Sequence, residues 1–163
     1  LDVVIVNPGV IFGYGFPKKG SDVIIQSVRK GLSFYTKGNI GIVSVKDVVE
    51  CMIKLMKSNS KGERFTLIGE NIEAKKLLDF IAEKLKIKKP SIEATETILS
   101  IAWRLDWLVS KLVNRKRKLT RNTAAASLSK TIFDASKVES ELHITFQKKE
   151  SYLKTILQER KFV

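Results

Sequence analysis

The sequence predicts an α/β fold built on a parallel sheet with right-handed crossovers, and three observations carry that reading. Short apolar, β-branched runs alternate with segments of helical spacing. The opening run, Val3-Val4-Ile5-Val6, is continuous rather than alternating, the pattern of a strand covered on both faces. Glycine, proline and asparagine punctuate each change of pattern.

The elements follow in order. The first strand stops at Asn7-Pro8-Gly9, where proline removes an amide donor and glycine loosens the backbone. A glycine-rich loop runs through Gly13, Gly15, Pro17 and Gly20, and Ser21-Asp22 is placed to cap a helix reaching about Leu32. Gly38-Asn39 marks a turn before a strand from Ile40 to Val45. Val45, Val48, Val49, Met52, Ile53 and Met56 then form one apolar helical stripe. A third strand, Phe65 to Ile68, ends at Gly69, and a helix carries Ala74, Leu77, Leu78, Ile81, Ala82 and Leu85 on one face. After residue 90 the strand pattern disappears. Thr97–Val113 reads as a broad apolar helix, Asn114–Arg121 as a basic knot, and three shorter helices follow near Thr123–Ser129, Asp134–Leu142 and Lys148–Arg160.

Composition narrows the chemistry. With 44% hydrophobic residues and three prolines the chain is globular rather than disordered. One cysteine, Cys51, excludes an internal disulfide or a thiolate metal cluster, and fits a reducing compartment, so a cytoplasmic location is the expectation. One histidine, His143, removes most histidine-based metal sites and nucleophile–histidine triads. No stretch is long and apolar enough to suggest a membrane span, and Leu1-Asp2-Val3-Val4 has no basic leader. The chain opens on leucine inside an apolar run, as an internal cut would leave it. Its formal charge of +13 attracts phosphates, nucleic acid or anionic lipid unless further polypeptide balances it.

In an open parallel sheet, ligands bind at the carboxyl ends of strands. Asn7, Pro8 and Gly9 sit at such an end, with Phe12 and Tyr14 beyond it. Two readings stand: a close backbone approach to a bound ring, or a plain strand-to-loop turn. Asp47 reads as a carboxylate answering free amides at a helix start, Arg29 as a solvated charge before a ligand group, and Cys51 as a small buried group.

The run Val6-Asn7-Pro8-Gly9-Val10-Ile11-Phe12-Gly13-Tyr14-Gly15 resembles the segment after the catalytic tyrosine helix in extended short-chain dehydrogenases/reductases, the nicotinamide-dependent epimerase/dehydratase family. Ile42-Val43-Ser44-Val45-Lys46-Asp47-Val48-Val49 is similar to that family's strand closing on a Val-x-Asp-Val-Ala helix start, and Phe65-Thr66-Leu67-Ile68-Gly69-Glu70 to its returning strand. Leu119-Thr120-Arg121, Phe133-Asp134-Ala135-Ser136-Lys137 and Glu141-Leu142 look like the closing section of its dihydroflavonol reductase and hydroxysteroid dehydrogenase branch. There the section ends in Glu-Leu-Gly-Phe; here His143-Ile144 replaces the last pair.

The resemblance implies the last part of a Rossmann-type doubly wound sheet over residues 1–90 and a mostly helical substrate-binding or capping region over 91–163. It implies NAD or NADP as cofactor, a small-molecule substrate, and a nucleotide-binding half lying outside this sequence. Asn7, Pro8 and Gly9 would line the nicotinamide end; Phe12, Tyr14, Arg29, Phe34 and Tyr35 would shape the substrate pocket. The family's phosphate-binding Gly-x-x-Gly-x-x-Gly turn has no counterpart here. Tyr14 and Lys18 have the spacing of the catalytic Tyr-x-x-x-Lys, but Gly15 and Pro17 between them oppose a shared helical turn. No catalytic residue is therefore expected in this chain, and a severed sheet is expected to self-associate.

The Thr97–Val113 helix leaves two readings open. In one it caps the substrate region, with residues 97–121 ending in a solvated basic turn. In the other it lies on an anionic membrane surface, Trp103 and Trp107 widening its apolar face, and the chain is a stand-alone basic domain docking on polyanions. Nucleic acid is not expected as a partner, since aromatics are not interleaved with the cations.

Overall fold

A computed structural model describes residues 2–14, 19–115, 117 and 119–159 of the chain. Seven strands and seven helices are described: β1 (Ile5–Pro8), β2 (Val10–Phe12), α1 (Asp22–Arg29), β3 (Phe34–Tyr35), β4 (Asn39–Ser44), α2 (Val45–Lys57), β5 (Arg64–Leu67), β6 (Glu70–Glu73), α3 (Ala74–Leu85), β7 (Ile92–Glu93), α4 (Glu96–Leu112), α5 (Arg121–Leu128), α6 (Ser136–Leu142) and α7 (Lys149–Glu159). None of the described helices is long and apolar enough to cross a membrane.

The strands form three short sheets. β1 pairs with β5 in parallel, β2 pairs with β4 in parallel, and β3 pairs with β7 in parallel. The expected parallel sheet is thus present, with one departure: β6 runs antiparallel to β4, Ile40 facing Ile72. Glu70–Glu73 gave no strand signal in the sequence because its four residues carry two acids and one asparagine. The two-residue strands β3 and β7 are too short to show any periodicity.

The strand buried on both faces is β4, not the opening run. Gly41, Ile42, Val43 and Ser44 are all buried, and successive side chains leave on opposite sides. Ile42 enters a core with Phe12, Ile25, Val28, Leu77, Ile81, Leu153 and Leu157; Val43 enters a second core with Val48, Cys51, Leu55, Phe65, Leu67, Val138 and Phe146. β1, by contrast, keeps Ile5, Asn7 and Pro8 exposed. Its apolar character matches a covered strand, yet among the described residues only β5 pairs with it.

Gly9 carries the chain from one ladder to the next. Its N–H still donates to Leu67 O at 3.1 Å, extending the β5 ladder. A Cβ there would overlap the Gly41 carbonyl and the Ile68 side chain, so only glycine lets the β1–β2 corner close on β4.

The helices obey local rules with three corrections. Ser21 makes no side-chain cap; its backbone carbonyl accepts from Ile24 N–H at 3.1 Å, and Asp22 is buried. On α2 the buried stripe is Val48, Cys51 and Leu55, whereas Val49, Met52, Ile53 and Met56 face outward. The helix is apolar on two sides, and the single stripe read from spacing merged them. On α4, Trp103 lies on the half-buried side with Leu99, so it does not extend the exposed apolar face.

The landmark residues of the closing section have physical reasons. Thr120 and Thr123 form a reciprocal capping box at the start of α5. Asp134 accepts from Ser136 N–H at 2.9 Å and from its hydroxyl at 3.0 Å, opening α6. Asn71 clamps Phe133, donating to its carbonyl and accepting from its N–H, both at 2.9 Å. The basic knot is no freely solvated turn either: Arg115 pairs with Asp106 of α4 at 2.7 Å, and Leu119 N–H donates to the same carboxylate at 3.0 Å.

His143 closes α6 at φ +48°, the left-handed conformation that favours glycine. That explains why a glycine occupies this place in the pattern the sequence resembles. His143→Gly is expected to stabilise the fold by roughly 0.5–1 kcal/mol, relief of strain outweighing the added freedom of the unfolded chain. Urea denaturation midpoints check it.

Cys51 is fully buried, and burial, aided by the Asp47 carboxylate, pushes its thiol up to about 11. Ellman's reagent is therefore expected to leave it untouched at pH 8 in the folded protein and to modify it rapidly in urea. Fast labelling of the native chain would contradict this burial.

Candidate functional site

Parallel strands β2 and β4 end side by side, Phe12 beside Ser44 in register. Beyond them the chain turns away on both sides, into Gly13-Tyr14 and into the first turn of α2. Between these ends and α7 lies a hollow of about 250 Å³, lined by Phe12, Gly13, Tyr14, Ser44, Val45 and Lys46 on one side and by Gln147, Ser151, Tyr152, Thr155 and Ile156 on the other. A second hollow of about 350 Å³ adjoins it, sharing Gly13, Tyr14 and Val45 and adding Ile11, Lys19, Gly20, Ser21 and Asp22.

Each wall is held for a local reason. Ser44 caps α2, its hydroxyl accepting from Lys46 N–H at 3.2 Å. Asp47 has a different task from the cap its position suggested. Gln147 donates to it twice, from the backbone at 3.0 Å and from the side-chain amide at 2.8 Å. The carboxylate sits at the amino end of α2, where the helix dipole favours it, and ties the lead-in to α7 against β4. Lys149 strengthens the same junction, pairing with Glu70 at 2.7 Å and Glu150 at 2.9 Å. Burial alone would lower its ammonium, but the Glu150 and Glu70 carboxylates outweigh it and hold the charge.

The floor is aromatic. Phe12 is fully buried and meets Tyr152 with ring centroids 6.4 Å apart, tilted at 37°. Burial pushes the Tyr152 phenol far above its ordinary value, and the Glu70 and Asp47 carboxylates add to the effect, so it stays neutral. The hollow therefore offers hydroxyls, an amide, a lysine on its rim and an aromatic wall. Such a lining suits binding and orienting a polar ligand. Proton transfer needs a group with a pKa nearer neutrality. Among the described residues there is no cluster of histidine, cysteine, aspartate or glutamate able to hold a metal ion.

The structure brings together only part of the predicted pocket. Phe12 and Tyr14 line the hollow, Phe12 as a fully buried core residue beneath it and Tyr14 at 55% exposure. Phe34 and Tyr35 belong to the β3–β7 ladder instead, where Tyr35 receives the Lys75 ammonium over its ring at 4.9 Å. Arg29 is half-buried in the last turn of α1. Asn7 and Pro8 are exposed at the exit of β1, open rather than packed shut, and the close approach at Gly9 is to the protein's own Gly41. Lys18 lies outside the described residues.

Sequence reasoning missed the α7 side entirely: Ser151, Tyr152 and Thr155 sit on a helix whose spacing shows only a core face, and Gln147 lies in the loop that leads into it. The pairing of Asp47 with Gln147 across the chain leaves no local signal.

No family model matches the sequence, and no curated protein matches it. Solved structures do match the fold. A nucleoside-diphosphate-sugar epimerase from Pseudomonas aeruginosa aligns over 97% of this chain at a TM-score of 0.68 and 20% identity, using 46% of its own length. The fold is a Rossmann-type one. UDP-glucose 4-epimerase from Thermotoga maritima, solved with UDP-glucose, aligns over 99% of this chain and 47% of its own at a TM-score of 0.67 and 17% identity. DesIV, a dTDP-glucose 4,6-dehydratase from Streptomyces venezuelae solved with NAD and TYD, gives 0.66, 14% identity, 99% of this chain and 44% of its own. The chain spans about half the length of the solved structures it matches.

Asp47→Ala is expected to destabilise the fold by roughly 1–3 kcal/mol, because Gln147 loses both acceptors where water is largely excluded. Thermal unfolding measures the loss; Asp47→Asn, which keeps one acceptor oxygen, is expected to lose less.

Proposed function

We propose that this chain is the substrate-side portion of a nicotinamide-dependent epimerase, dehydratase or reductase of the extended short-chain dehydrogenase/reductase type, acting on a hydroxyl- or carbonyl-bearing carbon. A nucleotide sugar is the favoured substrate class, in keeping with the dTDP-glucose dehydratase and the UDP-glucose-bound epimerase that share the fold; a dihydroflavonol- or sterol-like substrate is the alternative, in keeping with the closing-section resemblance. The nucleotide-binding half belongs to polypeptide outside this sequence.

One observation carries the reading: β1 is an apolar parallel strand that is covered on one side only. Ile5 of β1 and Val3 just before it are exposed, and β1 pairs with β5 alone among the described residues. A strand of this composition gains its stability inside a wider sheet. Its carboxyl end, with Asn7 and Pro8 open to solvent, points to the place where such sheets bind ligands.

The fit to a nicotinamide nucleotide is confined to one end. Asn7 offers an exposed side-chain amide for the ring, whereas the sequence has no Gly-x-x-Gly-x-x-Gly turn for the diphosphate. When bound, the nicotinamide would supply hydride transfer at the substrate carbon. This chain's share is to hold the substrate: Tyr14 and Tyr152 as aromatic walls, Ser44, Ser151 and Thr155 as hydroxyl partners, and Lys46 as a cation on the rim.

Joining this chain to the polypeptide encoded directly upstream in its reading frame tests the proposal. The joined protein is expected to bind NAD or NADP, and Asn7→Ala to weaken that binding about fivefold, while the 163-residue chain alone shows no heat on titration with either nucleotide. A joined protein that binds neither nucleotide would sink the assignment.

A further inference from the structure

The helix α4 packs on α5 with one narrow side: Leu99, Trp103, Asp106 and Ser110 are buried or half-buried. The opposite side is the notable one. Ile98, Ile101, Leu105, Leu108, Val109 and Leu112 recur at helical spacing, and every one is exposed, Leu105 at 56% and Leu112 at 76%. An amphipathic helix normally turns such a stripe inward. Here the aliphatic stripe faces away from the body of the protein, and no described residue covers it.

Charge says what would. Arg104 and Lys111 flank the stripe along one border, Arg117 lies exposed beyond its carboxyl end within the run Arg115-Lys116-Arg117-Lys118, and Arg121 is exposed at the start of α5. The one acid within the body of the helix, Asp106, points to the packed side and is taken up by Arg115. The outward half of α4 is thus aliphatic with a cationic border, on a chain of formal charge +13. A second copy of the chain would bring the same charge against itself. An anionic lipid surface satisfies both parts at once: acyl boundary for the stripe, headgroups for the cations.

We propose that α4 docks this protein on anionic membranes as a helix lying in the plane of the interface. The stripe enters the headgroup–acyl boundary, and Lys111, Arg117 and Arg121 meet the lipid phosphates and carboxylates. Trp103 takes no part, because it faces α5. This surface is independent of the nucleotide-binding reading, and neither stands or falls with the other.

Flotation of the 163-residue chain with vesicles tests it. Vesicles of phosphatidylcholine containing roughly 30 mol% phosphatidylserine are expected to carry the protein upward, and raising salt toward 0.5 M to release it severalfold. Leu105→Gln with Leu108→Gln is expected to reduce binding at least tenfold without moving the melting temperature, since both side chains point to solvent. Lys111→Glu with Arg117→Glu is expected to reduce binding severalfold and flatten its salt dependence. Equal binding to pure phosphatidylcholine, or binding untouched by the leucine pair, would overturn the proposal. So would absence of vesicle binding together with a dimer in sedimentation that the leucine pair dissociates, which would assign the stripe to a second copy.

Discussion

The structure depends on a single six-residue strand being hidden on both of its faces. Because consecutive side chains of β4 leave in opposite directions, Ile42 and Val43 each anchor a separate apolar core, and the remaining elements are arranged around that division. α1, α3 and α7 gather on the Ile42 side. α2 and α6 close the Val43 side. The same strand ends beside β2, so the hollow at the strand ends is a by-product of how the two cores are separated. Gly9 and Gly41 make that arrangement possible by letting two backbones approach where any Cβ would collide.

Much of this was legible in the sequence, and the failures are informative. Helix identities were clear because 3.6-residue periodicity survives wherever one face is buried, and the order of strands and helices followed from where it began and ended. Burial was harder. The β-branched run at residues 3–6 and the one at 40–45 look alike, yet only the second is enclosed within the described residues, because enclosure depends on neighbours and not on composition. α2 shows the same effect: its apolar residues wrap far enough round the helix that spacing could not separate the inward set from the outward set. β6 went unseen because an edge strand pairing with polar residues has no hydrophobic signature, and β3 and β7 are shorter than any period.

For the hollow, the sequence pointed to the exit of the first strand and, beyond it, to two of the lining residues, but not to the opposite wall. Phe12 and Tyr14 were visible because an unusual Asn-Pro-Gly exit and a glycine-rich stretch drew notice to them. Tyr152 and Thr155 come from a distant helix, and Gln147 from the loop before it, and neither segment carries a motif. Phe34 and Tyr35 were grouped with the pocket on the strength of the family resemblance, and they pair in the β3–β7 ladder, away from this hollow. Asp47 shows the limit most clearly: its place at a helix start announced a local cap, while its actual partner is 100 residues away.

That long-range tie bears on how the chain comes into being. Val138 and Phe146 complete one core, and Leu153 and Leu157 complete the other, so neither closes before the carboxyl-terminal segment has been made. Until then α2 begins without its Gln147 partner, and the apolar faces beside β4 stay open to solvent. Closing loops of this span is slow compared with forming local helices. During synthesis the growing polypeptide must therefore spend most of its length as a set of preformed helices around an unfinished centre, a stage at which chaperone capture competes with folding.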